Sequence, residues 1–260
     1  MGMGHTPRKR FGQNFLREES VILSIARAVA PGEQDHLIEI GPGEGALTEA
    51  LITSGCQLDA VELDRDLRTR LLASFSRYPK FTLHSADALS FNFASLADGQ
   101  HIRVVGNLPY NISTPLIFKL LEYGSVITDM HFMLQLEVVQ RLAATPGSKE
   151  WGRLGVMAQF HCDIEMLFEV PPEAFFPPPK VQSAVVRLAP RTTSAWPNMD
   201  RESLSRVVTQ AFSQRRKTLR NNFKNVLTDA QLEAAGIDPS ARAETLSINQ
   251  FVALAQIAAA

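Results

Sequence analysis

Seven residues in the middle of the chain, Gly106-Asn107-Leu108-Pro109-Tyr110-Asn111-Ile112, combine types that together can hold a flat base by its exocyclic amine. The Asn107 side-chain carbonyl accepts one N–H and the Leu108 backbone carbonyl accepts the other. Pro109 fixes its own φ and biases Leu108 toward an extended shape, which aims that carbonyl. Tyr110 offers a ring for the base to stack on. The bland alternative is a proline-containing turn that carries a tyrosine. The stretch follows an apolar run, Ile102-Arg103-Val104-Val105, that reads as a strand. Loops at the carboxyl ends of parallel strands are where open α/β sheets bind ligands.

A second chemical stretch is Gly41-Pro42-Gly43-Glu44-Gly45. Glycines at alternate positions between a strand and a helix let backbone approach a ligand closely, and the helix start offers N–H groups to a negative group. Glu62 lies 21 residues after Gly41, where nucleotide-binding α/β folds place a ribose-binding acid. Gly41, Gly43 and Ala46 also fit the dinucleotide variant of that motif, and a tight turn without a ligand is the plain reading. Asp87 follows the third strand, at a point where a carboxylate can accept from an adenine amine; alone it reads as a helix cap. Phe175, in a proline-rich loop, either covers the second face of the base on Tyr110 or is a core phenylalanine. A dehydrogenase would need a proton-handling residue beside its hydride acceptor. The loop at 107–110 points instead to transfer to nitrogen, because an amine that loses planarity against two acceptors exposes its lone pair. It can then attack a methyl sulfonium in line with no metal and no strong base, a chemistry of positioning and electrostatics.

The elements that must position these groups alternate. Helical spacing of Val21, Ile22, Ile25, Ala26 and Val29 predicts a helix over 19–30, ended by Pro31-Gly32. Strands are expected at 36–40, 57–63, 81–85, 102–106 and 129–134, with helices at about 46–53, 65–76, 114–121 and 136–144. That alternation argues for a mostly parallel, doubly wound sheet with helices on both faces. Two later runs, 163–170 and 181–188, flank the loop Phe175-Phe176-Pro177-Pro178-Pro179 and read as a hairpin ending the sheet. Residues 190–200, with Pro190, Thr192, Thr193, Ser194, Pro197 and Asn198, read as a linker. A helical tail follows, with Asp200 as a cap and Pro239 opening a further turn. The expected division is a domain over 1–190 and a small all-helical domain over 191–260.

The 260 residues carry a net charge of −1, which removes any global basic signature for nucleic acid. The charge is uneven: residues 191–260 hold 9 Lys+Arg against 6 Asp+Glu. Arg215, Arg216, Lys217, Arg220 and Lys224 lie there, and a helix would put Lys217, Arg220 and Lys224 on one face, away from Phe212, Leu219 and Phe223. Such a face is either solvated or binds phosphate. Cys56 and Cys162 lack metal or redox spacing and read as buried thiols in a reducing, cytoplasmic setting. No apolar run reaches the ~18 residues of a membrane span. No apolar signal core follows the basic Arg8, Lys9 and Arg10, and the match of Met1-Gly2 and Thr6 to a myristoylation pattern is taken as chance.

Taken in order, Phe11-Gly12-Gln13-Asn14-Phe15-Leu16, Glu39–Gly45, Val61-Glu62-Leu63-Asp64, Ala86-Asp87-Ala88, Gly106–Ile112 and Phe175–Ser183 resemble the bacterial small-subunit ribosomal RNA adenine dimethyltransferases. The resemblance spans nearly the whole chain and departs at no motif position. It implies a Rossmann-like methyltransferase fold and S-adenosylmethionine as methyl donor. The implied substrate is two adjacent adenosines near the 3′ end of small-subunit ribosomal RNA, each dimethylated on N6 in an immature subunit, with a link to kasugamycin sensitivity. Asn14, Leu16, Gly41, Gly43, Glu62, Asp87 and Asn107 would contact the donor, and Asn107, Leu108, Tyr110 and Phe175 would hold the target adenine. The basic tail would contact RNA, and the enzyme would act as a monomer without metal or membrane. Two alternatives stand beside this: a large-subunit adenine methyltransferase conferring macrolide resistance, and a ribosome-assembly or transcription factor that keeps the fold without the chemistry.

Overall fold

The computed structural model describes residues 14–191 and 195–259. Phe11, Gly12 and Gln13, the basic Arg8–Arg10 run, Met1-Gly2 with Thr6, and Thr192, Thr193 and Ser194 of the expected linker lie outside the described residues. The chain divides into two compact units, residues 1–139 with 165–190 and residues 140–164 with 191–260. The sequence points to a single cut at 190; the structure instead groups 140–164 with the C-terminal helices.

The first unit begins with β1 (Phe15–Leu16) and α1 (Glu19–Val29) and then alternates: β2 (His36–Ile40), α2 (Ala46–Ile52), β3 (Gln57–Glu62), α3 (Arg65–Phe75), β4 (Phe81–Ser85), β5 (Ile102–Asn107), α4 (Ser113–Leu121), β6 (Ile127–Gln135) and α5 (Leu136–Leu142). After α6 (Arg153–His161) come β7 (Cys162–Val170), β8 (Phe175–Phe176) and β9 (Ser183–Pro190). The seven-stranded sheet has the order β4-β3-β2-β5-β6-β9-β7. β4, β3, β2, β5 and β6 pair in parallel, and β9 runs antiparallel to β6. The hairpin expected at the sheet's end is thus present, with β9 rather than β7 beside β6.

All five residues of β2 are buried, as expected of a central parallel strand covered on both faces. Leu37, Leu58, Val105, Met133 and Val185 from the strands pack with Ile25 and Val29 of α1 and Leu47 and Leu51 of α2. Each such side chain contributes about 1.5–3 kcal/mol by leaving water. Arg103, the one cation in the β5 run, ties the start of that strand to its neighbours. Its guanidinium donates to Asp129 at 2.8 and 3.0 Å, to Asp35 at 2.8 Å and to the Val29 carbonyl at 2.7 Å. The chain leaves β4 at one edge and returns as β5 beside β2, which creates the switch point where such sheets open a crevice.

In the second unit, α7 (Arg201–Ala211), α8 (Leu219–Asn222), α9 (Asp229–Ala234) and α10 (Ile248–Ala259) follow. Asp200 caps α7, its Oδ2 accepting the Ser203 N–H at 2.8 Å, as the sequence suggests. Phe212 meets Phe251 at 5.7 Å between centroids, and the fully buried Trp151 donates its indole N–H to the Leu246 carbonyl at 2.9 Å. Both cysteines are buried and unpaired, and burial pushes the Cys162 thiol up to about 12. Among the described residues no helix is long and apolar enough to cross a membrane, and no cluster suits a metal ion.

Candidate active site

At the switch point the carboxyl ends of β2, β3, β4 and β5 open into a cleft with a cavity volume of about 230 Å³. It brings together Asn14, Leu16, Gly41, Gly43, Glu62, Asp87, Asn107, Leu108 and Tyr110, nine of the ten donor-site and target-site residues singled out from the sequence.

Two glycines make the cleft possible. A Cβ on Gly106 would sit 2.5 Å from the Ile40 carbonyl oxygen, so β5 can run this close to β2 only without a side chain there. Gly45, the residue before α2, has φ +89°, and a Cβ would lie 2.6 Å from the Phe75 ring. The left-handed turn it supplies starts α2 just past the loop.

Glu62 ends β3 and is 8% exposed. Its Oε1 accepts the Asp64 N–H at 2.8 Å and its Oε2 the Gly43 N–H at 3.4 Å. Burial raises its pKa, against the pull of those N–H donors. A carboxylate has about four acceptor sites, so capacity remains for both hydroxyls of a ribose diol. Asp87 is exposed, and its Oδ1 accepts the Leu89 N–H at 2.9 Å. It thus braces the turn at 88–90, since no helix begins here as the capping reading would need, and the carboxylate keeps acceptor capacity toward the cleft.

Asn107 has a fixed sense. Its Nδ2 donates to the Asn14 carbonyl at 3.0 Å, which orients Oδ1 as the acceptor, the role that amine capture needs. The Leu108 N–H donates to the Met133 carbonyl at 3.2 Å, anchoring the loop to β6. The loop then closes with Ile112 N–H to Pro109 carbonyl at 3.1 Å and Ser113 Oγ to Tyr110 carbonyl at 3.1 Å. The Tyr110 hydroxyl meets Ser183 Oγ at 2.8 Å, and burial raises the Tyr110 pKa. The ring is a neutral platform held by its far end.

Phe175 is placed differently from the other target-site residues. It is 4% exposed, pairs with Leu16 across the β1–β8 ribbon and belongs to the hydrophobic core, not to the cleft lining. The structure shows its packing role; its stacking role rests on the family resemblance. Phe176, the next residue, is half exposed, and the Arg17 guanidinium lies 4.4 Å from its ring centroid.

Sequence reasoning assigns no role to Glu39. It is buried in β2, lines the cleft, and accepts from Thr48 Oγ1 at 2.6 Å. Burial, with a further push from Glu62, raises its pKa to about 7. The available signal is an acid in the middle of an otherwise apolar strand. Leu63 and Leu89, unusually exposed for leucines, line the cleft as flat apolar surfaces.

Glu39, Glu44, Glu62, Asp64 and Asp87 all line the cleft, and no Lys or Arg does so among the described residues. The lining offers a pyrophosphate no cationic side chain, which weighs against the dinucleotide variant of the glycine loop. A ligand that pairs a nucleoside with positive charge fits.

Comparison with known proteins gives the same direction. The sequence signature of the family described as ribosomal RNA adenine dimethylase matches residues 4–260. The chain belongs to the ribosomal RNA adenine dimethylase family. Among the most similar dimethylase relatives is a ribosomal RNA small subunit methyltransferase A of Pseudomonas aeruginosa, 58% identical over 252 residues, covering 96% of this chain and 94% of that one. One of the same name from Saccharophagus degradans is 56% identical over 96% and 94%. Among solved structures, a dimethyladenosine transferase from Plasmodium falciparum superposes with a TM-score of 0.76 at 25% identity, over 92% of this chain and 95% of that one. The 23S rRNA methyltransferase ErmE gives 0.75 at 26% identity, over 95% and 100%. The chain's Rossmann-like methyltransferase fold, with its helical C-terminal region, is therefore shared with these two structures.

The basic residues of the tail do not form one helical face. Arg215, Arg216 and Lys217 lie in the turns between α7 and α8, Arg220 on the four-residue α8, and Lys224 in the turn after it. The helix breaks because Ser213 to Thr218 turn the chain, and Thr218 then opens α8. Leu219 and Phe223 are buried, as expected of the apolar side. All five cations are exposed, but two have acidic partners: Arg215 pairs with Glu244 at 3.2 Å and donates to the Lys149 carbonyl, and Arg220 pairs with Asp229 at 2.8 Å.

Proposed function

We propose that this chain transfers methyl groups from S-adenosylmethionine to N6 of two adjacent adenosines near the 3′ end of small-subunit ribosomal RNA. It does so on an immature subunit, as a monomer in the cytoplasm. The observation that carries the reading is the pairing, in one crevice, of an amine-holding loop at 107–110 with a cleft lined by carboxylates. When bound, the donor supplies an electrophilic methyl on a sulfonium, whose positive charge suits that lining.

Glu62 takes the donor's ribose hydroxyls and Asp87 its adenine amine, with Gly41 and Gly43 leaving backbone open to it. Leu63 and Leu89 flank the donor base. On the acceptor side, Asn107 Oδ1 and the Leu108 carbonyl each accept one N–H of the target amine, while Tyr110 stacks on its ring. Holding both N–H groups in this way takes the amine out of plane and leaves its lone pair facing the donor side. Phe175 is proposed, from the family resemblance, to cover the base's other face, which requires an adenine taken out of its stack. As the N–C bond forms, the bond between that methyl and the donor sulfur would break, S-adenosylhomocysteine would leave with the electron pair, and the amine loses one proton, which passes to water. The barrier falls through positioning and electrostatics alone. Arg216, Lys217 and Lys224, with Arg215 and Arg220, are proposed to contact RNA phosphates.

The large-subunit reading ranks second. ErmE shares the fold at 26% identity, whereas relatives named for the small subunit reach 56–58%. Mapping methylated adenosines in both ribosomal RNAs, from cells with and without this gene, tests the assignment. Dimethyladenosine pairs missing from small-subunit RNA alone are expected. Loss of methylated adenosine from large-subunit RNA instead, in the cells without the gene, would move the chain to the second reading, and no change in either would favour a non-catalytic assembly factor.

A further inference from the structure

Lys119 projects from α4 into the backbone of a neighbouring turn. Its Nζ donates to the carbonyls of Ala88 at 3.3 Å, Leu89 at 2.8 Å and Phe91 at 2.6 Å, and lies 5.5 Å from the centroid of the buried Phe93 ring. An ammonium has three protons, and three carbonyls take them. Converging carbonyl dipoles repel one another unless a cation sits at their focus, so the shape of this turn depends on Lys119.

That turn is the one that carries Asp87. The Asp87 carbonyl accepts the N–H groups of Ser90 at 3.0 Å and Phe91 at 2.9 Å, and Asp87 Oδ1 accepts the Leu89 N–H. Ala88 and Leu89 line the cleft. α4 itself begins at Ser113, directly after the loop that holds the target amine. One side chain thus fastens the helix behind the acceptor loop to the turn at the donor's base.

We propose that Lys119 is a positioning residue for donor recognition: by holding the 88–91 carbonyls it fixes the turn that aims the Asp87 carboxylate at the donor's adenine amine. The inference rests on the assignment of Asp87 made above. It differs from a purely stabilising role in one respect. A staple affects melting, whereas a positioning residue affects how the site tells a 6-amino purine from a 6-oxo purine.

The test is calorimetric titration of the full chain with S-adenosylhomocysteine and with its inosine analogue, for wild type, Lys119→Met, Asp87→Asn and the double variant. Lys119→Met keeps an unbranched side chain and removes the three donors. It is expected to weaken S-adenosylhomocysteine about tenfold, the scale of one charged hydrogen bond. The analogue should change less than about twofold by the same reasoning, so that preference for the 6-amino base collapses. In the Asp87→Asn background the same substitution is expected to add almost nothing, because the two act as one unit. Wild-type preference in Lys119→Met, beside abolished preference in Asp87→Asn, overturns this proposal alone. Equal weakening in both backgrounds overturns it as well. Preference retained in Asp87→Asn removes the Asp87 assignment and this proposal with it. Should Lys119→Met not fold, Lys119→Arg carries the same comparison, since a planar fork keeps the charge but cannot reproduce the tripod of contacts.

Discussion

Tyr110 allows the ring and the hydroxyl to be weighed separately. The ring is proposed to stack on the target base, while the hydroxyl meets Ser183 Oγ, which is fully buried, at 2.8 Å. Tyr110→Phe keeps the ring and deletes the hydroxyl. The net hydrogen bond is worth about 0.5–1.5 kcal/mol, and a buried hydroxyl left without its partner costs about 1–3 kcal/mol. Stability should therefore drop by about 1–2 kcal/mol, and single-turnover methyl transfer by less than about tenfold, since 1.4 kcal/mol is a factor of ten. Tyr110→Ala removes the stack too, a further ~1–3 kcal/mol per base. Tyr110→Phe with Ser183→Ala removes both polar partners together, which can be nearly neutral, so it should recover most of the stability that Tyr110→Phe gives up. Thermal denaturation read beside single-turnover transfer on small subunits lacking the modification separates the two contributions. If Tyr110→Phe were as inactive as Tyr110→Ala at equal stability, the hydroxyl would be acting in the chemistry and the stacking role would be wrong.

Glu62→Gln should weaken donor binding about 10- to 150-fold, from about 1.5–3 kcal/mol for a charged hydrogen bond, because the charge is gone and the amide nitrogen cannot accept from a ribose hydroxyl; unchanged affinity by calorimetry would leave Glu62 as a staple for the Gly43 and Asp64 N–H groups only. Phe175→Leu keeps part of the apolar volume in the core at a cost of about 1–3 kcal/mol, so a fall in transfer well beyond what that loss of stability explains supports stacking, while unchanged transfer assigns Phe175 to packing alone. Glu39, raised to about 7 by burial, binds more protons folded than unfolded between its ordinary pKa and 7; its contribution is therefore full at low pH and falls as pH rises through that window, by about 3 kcal/mol in all. Thermal melts from pH 4 to 8 should show Glu39→Gln gaining on wild type across that range, and a constant difference would refute the shift. Replacing Arg216, Lys217 and Lys224 by Ala should lower the salt slope of subunit binding by about 0.7–0.9 for each phosphate no longer neutralised while leaving donor affinity alone; an unchanged slope returns these turns to plain solvated surface.

The alternating core was legible because β2, β3 and β5 are short, largely apolar runs closed by Gly or an acid, and the switch point follows from the order of the elements. What was not legible depends on contacts distant in sequence. β1 and β8 are two residues each, too short to show a period, so the pairing that places Leu16 against Phe175 left no pattern to read. The bond from Asn107 to the Asn14 carbonyl joins residues 93 apart. The grouping of 140–164 with the tail is likewise long-range: the Gly147 N–H reaches the Glu244 carbonyl at 2.7 Å. The basic tail was misread for a local reason. Lys217, Arg220 and Lys224 fit a helical period, but helical spacing of charges says nothing of a turn between them, and no apolar stripe ran through 213–218 to contradict the reading.

The approach of Gly106 to the Ile40 carbonyl bears on how this cleft tolerates change. Ile40 is the last residue before the glycine loop, and Gly106 is the last before Asn107, so the spacing of the two loops proposed to hold donor and amine is set where two backbones touch. Side chains on the rim can drift without altering that span. A single added methyl at position 106, which would meet neither ligand, would have to force the two loops apart. Among the described glycines this is the tightest approach, and it lies behind the proposed site, in a gap defined by atoms that every amino acid shares.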